Sequence, residues 1–267
     1  MNPVAPIAPS APIAPVFVSS RDNALIKDLR KLSQDNAAYR KQGRVWLEGD
    51  HLCRAALARG LRPQIAVFSE SFWPQAPAEW TRAASKTIVI ADALLPEISG
   101  LESPARMGFV LDLPVPAALV PTAATLILDR VQDAGNVGSM LRSAAAFGFS
   151  QVLALKGTAA LWSPKVLRAG MGAHFSLHLL ESLDFEAVAS LDVPILVTSS
   201  HHGSFLHQQS LPMPCAWAMG HEGQGVSEAL MARASLQVRI DQPGGEESLN
   251  VAAAAAICLH ASVGVKI

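Results

Sequence analysis

From Ser20, the stretch "SRDNALIKDLRKLSQDN" places Leu25, Ile26, Leu29 and Leu32 on one helical face, with a serine or an aspartate available as cap. "GRVWLEG" then predicts a short strand, "DHLCRAALARG" a helix closed by Gly60, and "PQIAVFS" and "KTIVIAD" two more strands. Together these make a small alternating α/β unit. Prolines 114, 116 and 121 in "LDLPVPAALVPTAA" predict a linker. Beyond it strands and helices alternate again. The order is "TLILD", a helix from about Val137 to Phe147, "QVLAL", a helix from about Pro164 to Met171, "PILVTS", "CAWAMG", a short helix after Val226, "LQVRI", and a last helix from about Leu249. Near-continuous apolar strands joined by helical crossovers predict a mostly parallel sheet covered on both faces. "APIAP", repeated at 5–9 and 11–15, predicts an extended, mobile tail. The expected organisation is a tail over 1–18, a small α/β domain over 19–113, a linker over 114–123 and a larger α/β domain over 124–267.

Composition fits this picture. The 267 residues are half apolar and 16% charged, enough for two modest cores. No apolar run approaches the ~20 residues of a membrane span, and the Ala-rich "VAAAAAICLHASVGV" reads as a buried helix. The proline-broken N-terminus has no basic n-region, so no secretory signal is expected. Cys53, Cys215 and Cys258 are far apart and odd in number, giving neither a disulfide framework nor a CxxC pair. A reducing cytoplasm is the expected compartment. Charge is uneven: residues 17–63 hold ten Lys or Arg against five acids, and residues 119–267 hold eight against eleven. That asymmetry fits a first half that meets a polyanion, or simply a solvated helix surface.

Ligands of such sheets sit beyond the carboxyl ends of the strands. Three Gly- and polar-rich loops fall there: "DRVQDAGNVGSMLRSAAAFG", "GHEGQGVS" and "DQPGGEESLNVAAAAA". "GHEGQG" has the spacing GxxGxG rather than the dinucleotide GxGxxG. No Gly-Lys-Ser/Thr occurs, which excludes a P-loop, and Gly225 stands where a zincin needs its second histidine. "HHGSFLH" leaves a metal site open at His201, His202 and His207, against solvated loop histidines.

"NVGSMLRSAAAFG", "AMGHEGQGVS" and "ESLNVAAAAAI" resemble, in order and spacing, the three motifs of SpoU/TrmH-type RNA ribose 2′-O-methyltransferases, covering most of residues 124–260. "SSRDNALIKDLRKL…GRVWLEGDHLCRAAL" is similar to the L30e-like substrate-binding domain found ahead of many of these enzymes, mainly through "LEGDHL". The resemblance implies a SPOUT fold, a parallel sheet with a C-terminal trefoil knot. It also implies S-adenosylmethionine as methyl donor and a homodimer with active sites at the subunit interface. The implied partner is RNA, ribosomal more than transfer RNA, and not DNA, because a 2′-hydroxyl is the atom at issue. A non-catalytic RNA-binding or assembly factor is the other reading of the same fold. Loss of Asn136, Arg142 or Asn250 would favour it, and all three are present.

Site residues follow from the same motifs. Glycines 220, 223 and 225 let backbone groups approach a bent ligand without side-chain obstruction. The resemblance puts cofactor contacts at Gly220, Ile240 and Leu249, with Ser199 or Ser200 close by. After the isoleucine of the third motif the family commonly shows a proline and an apolar residue, and this chain has Asp241 and Gln242. A helix beginning near Val137 makes Asn136 its N-cap and puts Arg142 on the second turn. The resemblance places Arg142 at the catalytic centre, either activating the hydroxyl or, since a guanidinium is a poor base, holding a phosphate bidentately. Glu222 is expected to orient Arg142 or Asn136. Ser248 and Asn250 precede an apolar helix that they can cap, and the resemblance places Asn250 near the reacting atoms. His221 looks the least necessary residue of "GHEGQG".

Overall fold

The computed structural model describes residues 14–115, 117–199, 202–245 and 248–263. The N-terminal part runs β1 (Val16–Val18), α1 (Ala24–Gln34), α2 (Ala38–Gln42), β2 (Arg44–Glu48), α3 (Asp50–Ala58), β3 (Ile65–Ser69), α4 (Ala78–Thr81), β4 (Lys86–Ile90) and β5 (Met107–Asp112). Asn23 caps α1 by accepting from Leu25 N at 2.9 Å, and the helix buries Ile26, Leu29 and Leu32 as its spacing predicts. The sheet order is β1-β4-β3-β5-β2, mixed, with β5 antiparallel to both β3 and β2. Val16–Val18 therefore belong to this sheet, not to a tail ending at residue 18, and the rest of that expected tail, 1–13, lies outside the described residues.

The C-terminal part runs β6 (Thr125–Asp129), α5 (Ala134–Ala146), β7 (Gln151–Leu155), α6 (Pro164–Gly170), β8 (His178–Leu183), β9 (Ile195–Thr198), β10 (Ser204–Phe205), β11 (Ala216–Gly220), α7 (Glu228–Arg233), β12 (Leu236–Arg239) and α8 (Val251–Ser262). Every pairing in its sheet is parallel, in the order β10-β12-β9-β11-β6-β7-β8. β6, β7 and β11 are buried at every position, because helices cover both faces. The strand order turns back between β6 and β11, whose last residues, Asp129 and Gly220, are register partners. A crevice opens at the carboxyl ends there, as at other topological switch points.

Two features hold the framework. A Cβ on Gly138 of α5 would lie 2.4 Å from Ala169 Cβ, so only glycine lets α5 and α6 approach this closely. The linker is pinned, since the buried Gln151 side chain bonds Val120 N, Val120 O and Thr125 Oγ1 at 2.8, 3.2 and 3.0 Å. The two parts also share one hydrophobic cluster. Across their junction Glu181 accepts from Tyr39 Oη at 2.5 Å and Arg40 Nε at 3.1 Å, and within its own part from Leu161 N at 3.0 Å. Burial and the Glu181 carboxylate push the Tyr39 phenol well up, so it stays a donor. Among the described residues no helix is long and apolar enough to cross a membrane.

Candidate active site

Three loops meet at the carboxyl ends of β6, β11 and β12. After β6, Asp129 is buried and accepts from Ser227 N at 2.6 Å and Arg130 Nε at 3.1 Å. Arg130 adopts φ 60°, a left-handed conformation uncommon outside glycine, and its Nη1 donates to Gln224 Oε1 at 3.0 Å. The first and second loops are thereby clamped together.

Asp133 accepts from Asn136 N at 2.7 Å and is the N-cap of α5. The helix starts earlier than its sequence suggested, so Asn136 lies inside the first turn and its amide side chain is available for other contacts. Glu222 accepts from Gln132 N at 3.1 Å, Asp133 N at 3.0 Å and Asn136 Nδ2 at 3.2 Å. Asn136 Oδ1 in turn accepts from Asn250 Nδ2 at 3.0 Å. Asn250 caps α8, its Oδ1 accepting from Ala252 N and Ala253 N at 2.9 and 3.2 Å. One chain of hydrogen bonds, Glu222–Asn136–Asn250, thus links all three loops.

Burial alone would raise the Glu222 carboxyl. The amides of Asp133 and Gln132, its own amide and the Asn136 side chain outweigh burial and bring it down to about 2. A depressed carboxyl contributes stability that is present above its unfolded value and lost as pH falls through its folded one. The protection of the Gln132 and Asp133 amides against hydrogen exchange, relative to the intrinsic rate at each pH, is therefore expected to fall between pH 4.5 and about 2 in the wild type. A Glu222→Gln variant should show little such change over the same window.

Beside this chain lies a cavity of about 690 Å³, within the range of small-molecule and cofactor sites. Ser199, Gly220, Glu222, Ile240, Ser248, Leu249 and Asn250 all line it. A Cβ on Gly220 would lie 2.1 Å from Gly225 C and Val226 N, so the second loop folds directly back over Gly220. His221 N donates to Gly225 O at 3.0 Å and Gly225 N to His221 O at 2.8 Å, closing that turn. Gln242 lines the cavity as well, and among the described residues its Oε1 has no hydrogen-bond partner.

Asn136 does not line the cavity and is joined to it through Glu222 and Asn250, whereas Arg142 is joined to neither. It sits on α5 about 120° around the helix and ~9 Å along it from Asn136, is exposed, does not line the cavity, and has no bonded partner among the described residues. Glu222 therefore orients Asn136 alone. Ser200 and His201 lie outside the described residues. His207 stacks on Phe205 with ring centroids 5.6 Å apart, and no group of three metal-ligating side chains forms among the described residues. Cys53, Cys215 and Cys258 are buried and unpaired.

Residues 123–260 match the family model described as the SpoU rRNA Methylase family. The chain belongs to the SpoU rRNA methylase family. Residues 23–107 of this SpoU chain match the MRM3-like substrate binding domain. The chain is 30% identical over 249 residues to the 23S rRNA (guanosine(2553)-2′-O)-methyltransferase RlmP of Bacillus subtilis, covering 91% of this chain and 97% of that one. A crystal structure titled RNA 2′-O ribose methyltransferase superposes with TM-score 0.76 at 28% identity, covering 93% and 98% of the two chains. The AdoMet-bound rRNA methyltransferase of Sinorhizobium meliloti shares the fold, with TM-score 0.79 at 24% identity over 92% and 96%. Within this SpoU chain, the clamp Asp129–Arg130 and the cap Asp133 were missed from sequence. Only the cap left a signal, an aspartate three residues before Asn136 ahead of a helical run.

Proposed function

We propose that the protein transfers the methyl group of S-adenosylmethionine to a ribose 2′-hydroxyl of ribosomal RNA in the cytoplasm, acting as a homodimer. The observation that carries this reading is a cavity lined by the second and third motif loops, to which Asn136 of the first is tied by hydrogen bonds with Glu222 and Asn250. The cavity suits the donor. The bare Gly220 leaves main chain facing it, and Ile240 and Leu249 give apolar walls for an adenosine.

S-adenosylmethionine supplies an electrophilic methyl on a sulfonium. The protein has to bring a hydroxyl oxygen in line with that methyl and keep the pocket poor in water. Asn250, held by Glu222 through Asn136 and by the amides of α8, offers a rigid polar contact at the rim, beside Ser248. Glu222 is held down to about 2 and its oxygens are occupied, so it orients rather than accepts the proton. The Arg142 guanidinium, with its fork of donors, is suited to clamp the target phosphate. The hydroxyl proton then leaves to water or to the RNA itself.

Arg142 reaches this centre across a dimer. It lies on α5, which packs against α8, and α8 is apolar apart from His260 and Ser262, with Ile257 exposed and Leu249 and Val263 exposed at its ends. A second copy covering that face would take Arg142 to the partner's cavity. The trefoil knot belongs to the same reading. Labelled S-adenosylmethionine incubated with total RNA from a strain lacking the protein should leave label on ribose 2′-oxygens of ribosomal RNA. Measurable cofactor binding with no ribose label would sink the reading.

A further inference from the structure

The turn from Gly220 to Gly225 forms one wall of the cavity, and the side chain at its second position sets its shape. His221 Nδ1 accepts from Gly223 N at 3.0 Å and from Gln224 N at 3.3 Å. Two amides directed at one ring nitrogen require a lone pair there, so the imidazole is neutral with its proton on Nε2. A protonated ring carries no acceptor and would turn an N–H toward both amides. The turn has little room to adjust. Gly220 lies against the backbone of Gly225 and Val226, and Gly225 itself takes φ 70°. Both glycines and His221 line the cavity.

We propose that His221 is a positioning residue for the methyl donor: its Nδ1, by accepting from the amides of Gly223 and Gln224, pre-forms the Gly220–Gly225 turn against which the donor binds. The inference rests on the methyltransferase reading of the cavity. The turn is also tied to the first loop, since Arg130 reaches it through Gln224 and is paired with Asp129.

Calorimetric titration of S-adenosylmethionine into wild type, His221→Asn and His221→Ala tests the assignment. An asparagine Oδ1 can stand where Nδ1 stands, accept from amides two and three residues on, and never protonate. At about pH 8 the Asn variant should match wild type, while His221→Ala binds about tenfold more weakly. In transfer assays at about pH 8, the Ala variant should show a raised KM for the donor with kcat little changed. Wild-type affinity in His221→Ala, or an Asn variant that binds as weakly as His221→Ala, overturns the inference. If the Ala variant does not fold, His221→Phe, a ring without an acceptor, takes its place, and wild-type affinity in it overturns the inference equally. Failure of wild type to bind the donor at any pH overturns the methyltransferase reading instead, and this inference with it.

Discussion

Replacing Arg142 with alanine is expected to lower methyl transfer by about a thousandfold, the scale of losing one preorganised charged contact at a reacting centre, while leaving donor affinity unchanged. The split follows from position: Arg142 lies outside its own chain's cavity and makes no bonded contact among the described residues. Donor binding is read by calorimetry and transfer by label on RNA. A mixture tests the dimer. Arg142→Ala combined with a cavity-dead variant, co-refolded in equal amounts, should recover about a quarter of wild-type activity, because half the dimers then hold one complete site. Full activity in Arg142→Ala would remove the residue from the centre, and a mixture that recovers nothing would place Arg142 in its own subunit's site.

Gly220→Ala supplies that cavity-dead partner and is the second large effect. A methyl group there would stand 2.1 Å from Gly225 C and Val226 N and 2.2 Å from Gly225 O. These are backbone atoms that cannot swing aside as a flexible side chain can. The turn has to lift from β11, which opens the wall of the cavity. Donor affinity should drop at least about a hundredfold, with a loss of stability of about 1–3 kcal/mol from overpacking. Calorimetry and denaturant unfolding read the two parts. Near-normal donor binding in Gly220→Ala would mean that the turn does not shape the donor site.

Much of this was legible in the sequence where burial makes a simple pattern. β6, β7 and β11 are buried on both faces and read as unbroken apolar runs. β8, "HLLESL", escaped because it is an edge strand with only two buried positions, and β10 because it is two residues long. β5 follows "ESPAR" and runs straight into the prolines of the linker, which masked it as a strand. At the site, residue type and loop order pointed to Glu222, Asn136, Asn250 and the cavity glycines. What spacing could not convey was rotation about α5: Asn136 and Arg142 share one motif and face different directions. His221 was discounted as lacking chemistry of its own, since no pattern of residue types shows a ring nitrogen turned back onto its own loop.

The sheet places its first strand beside a late one. β6 pairs from Thr125 opposite Ala216 to Asp129 opposite Gly220, and the bond from Asn250 to Asn136 spans 114 positions. Such long closures are entropically slow to make. A chain emerging from the ribosome can shape its N-terminal part early, yet the central strand pair has to wait for residue 220, and the hydrogen-bond chain at the cavity rim for residue 250. Competence for methyl transfer is therefore among the last properties the nascent molecule acquires. An RNA gripped by the N-terminal part during synthesis would be held well before it could be modified.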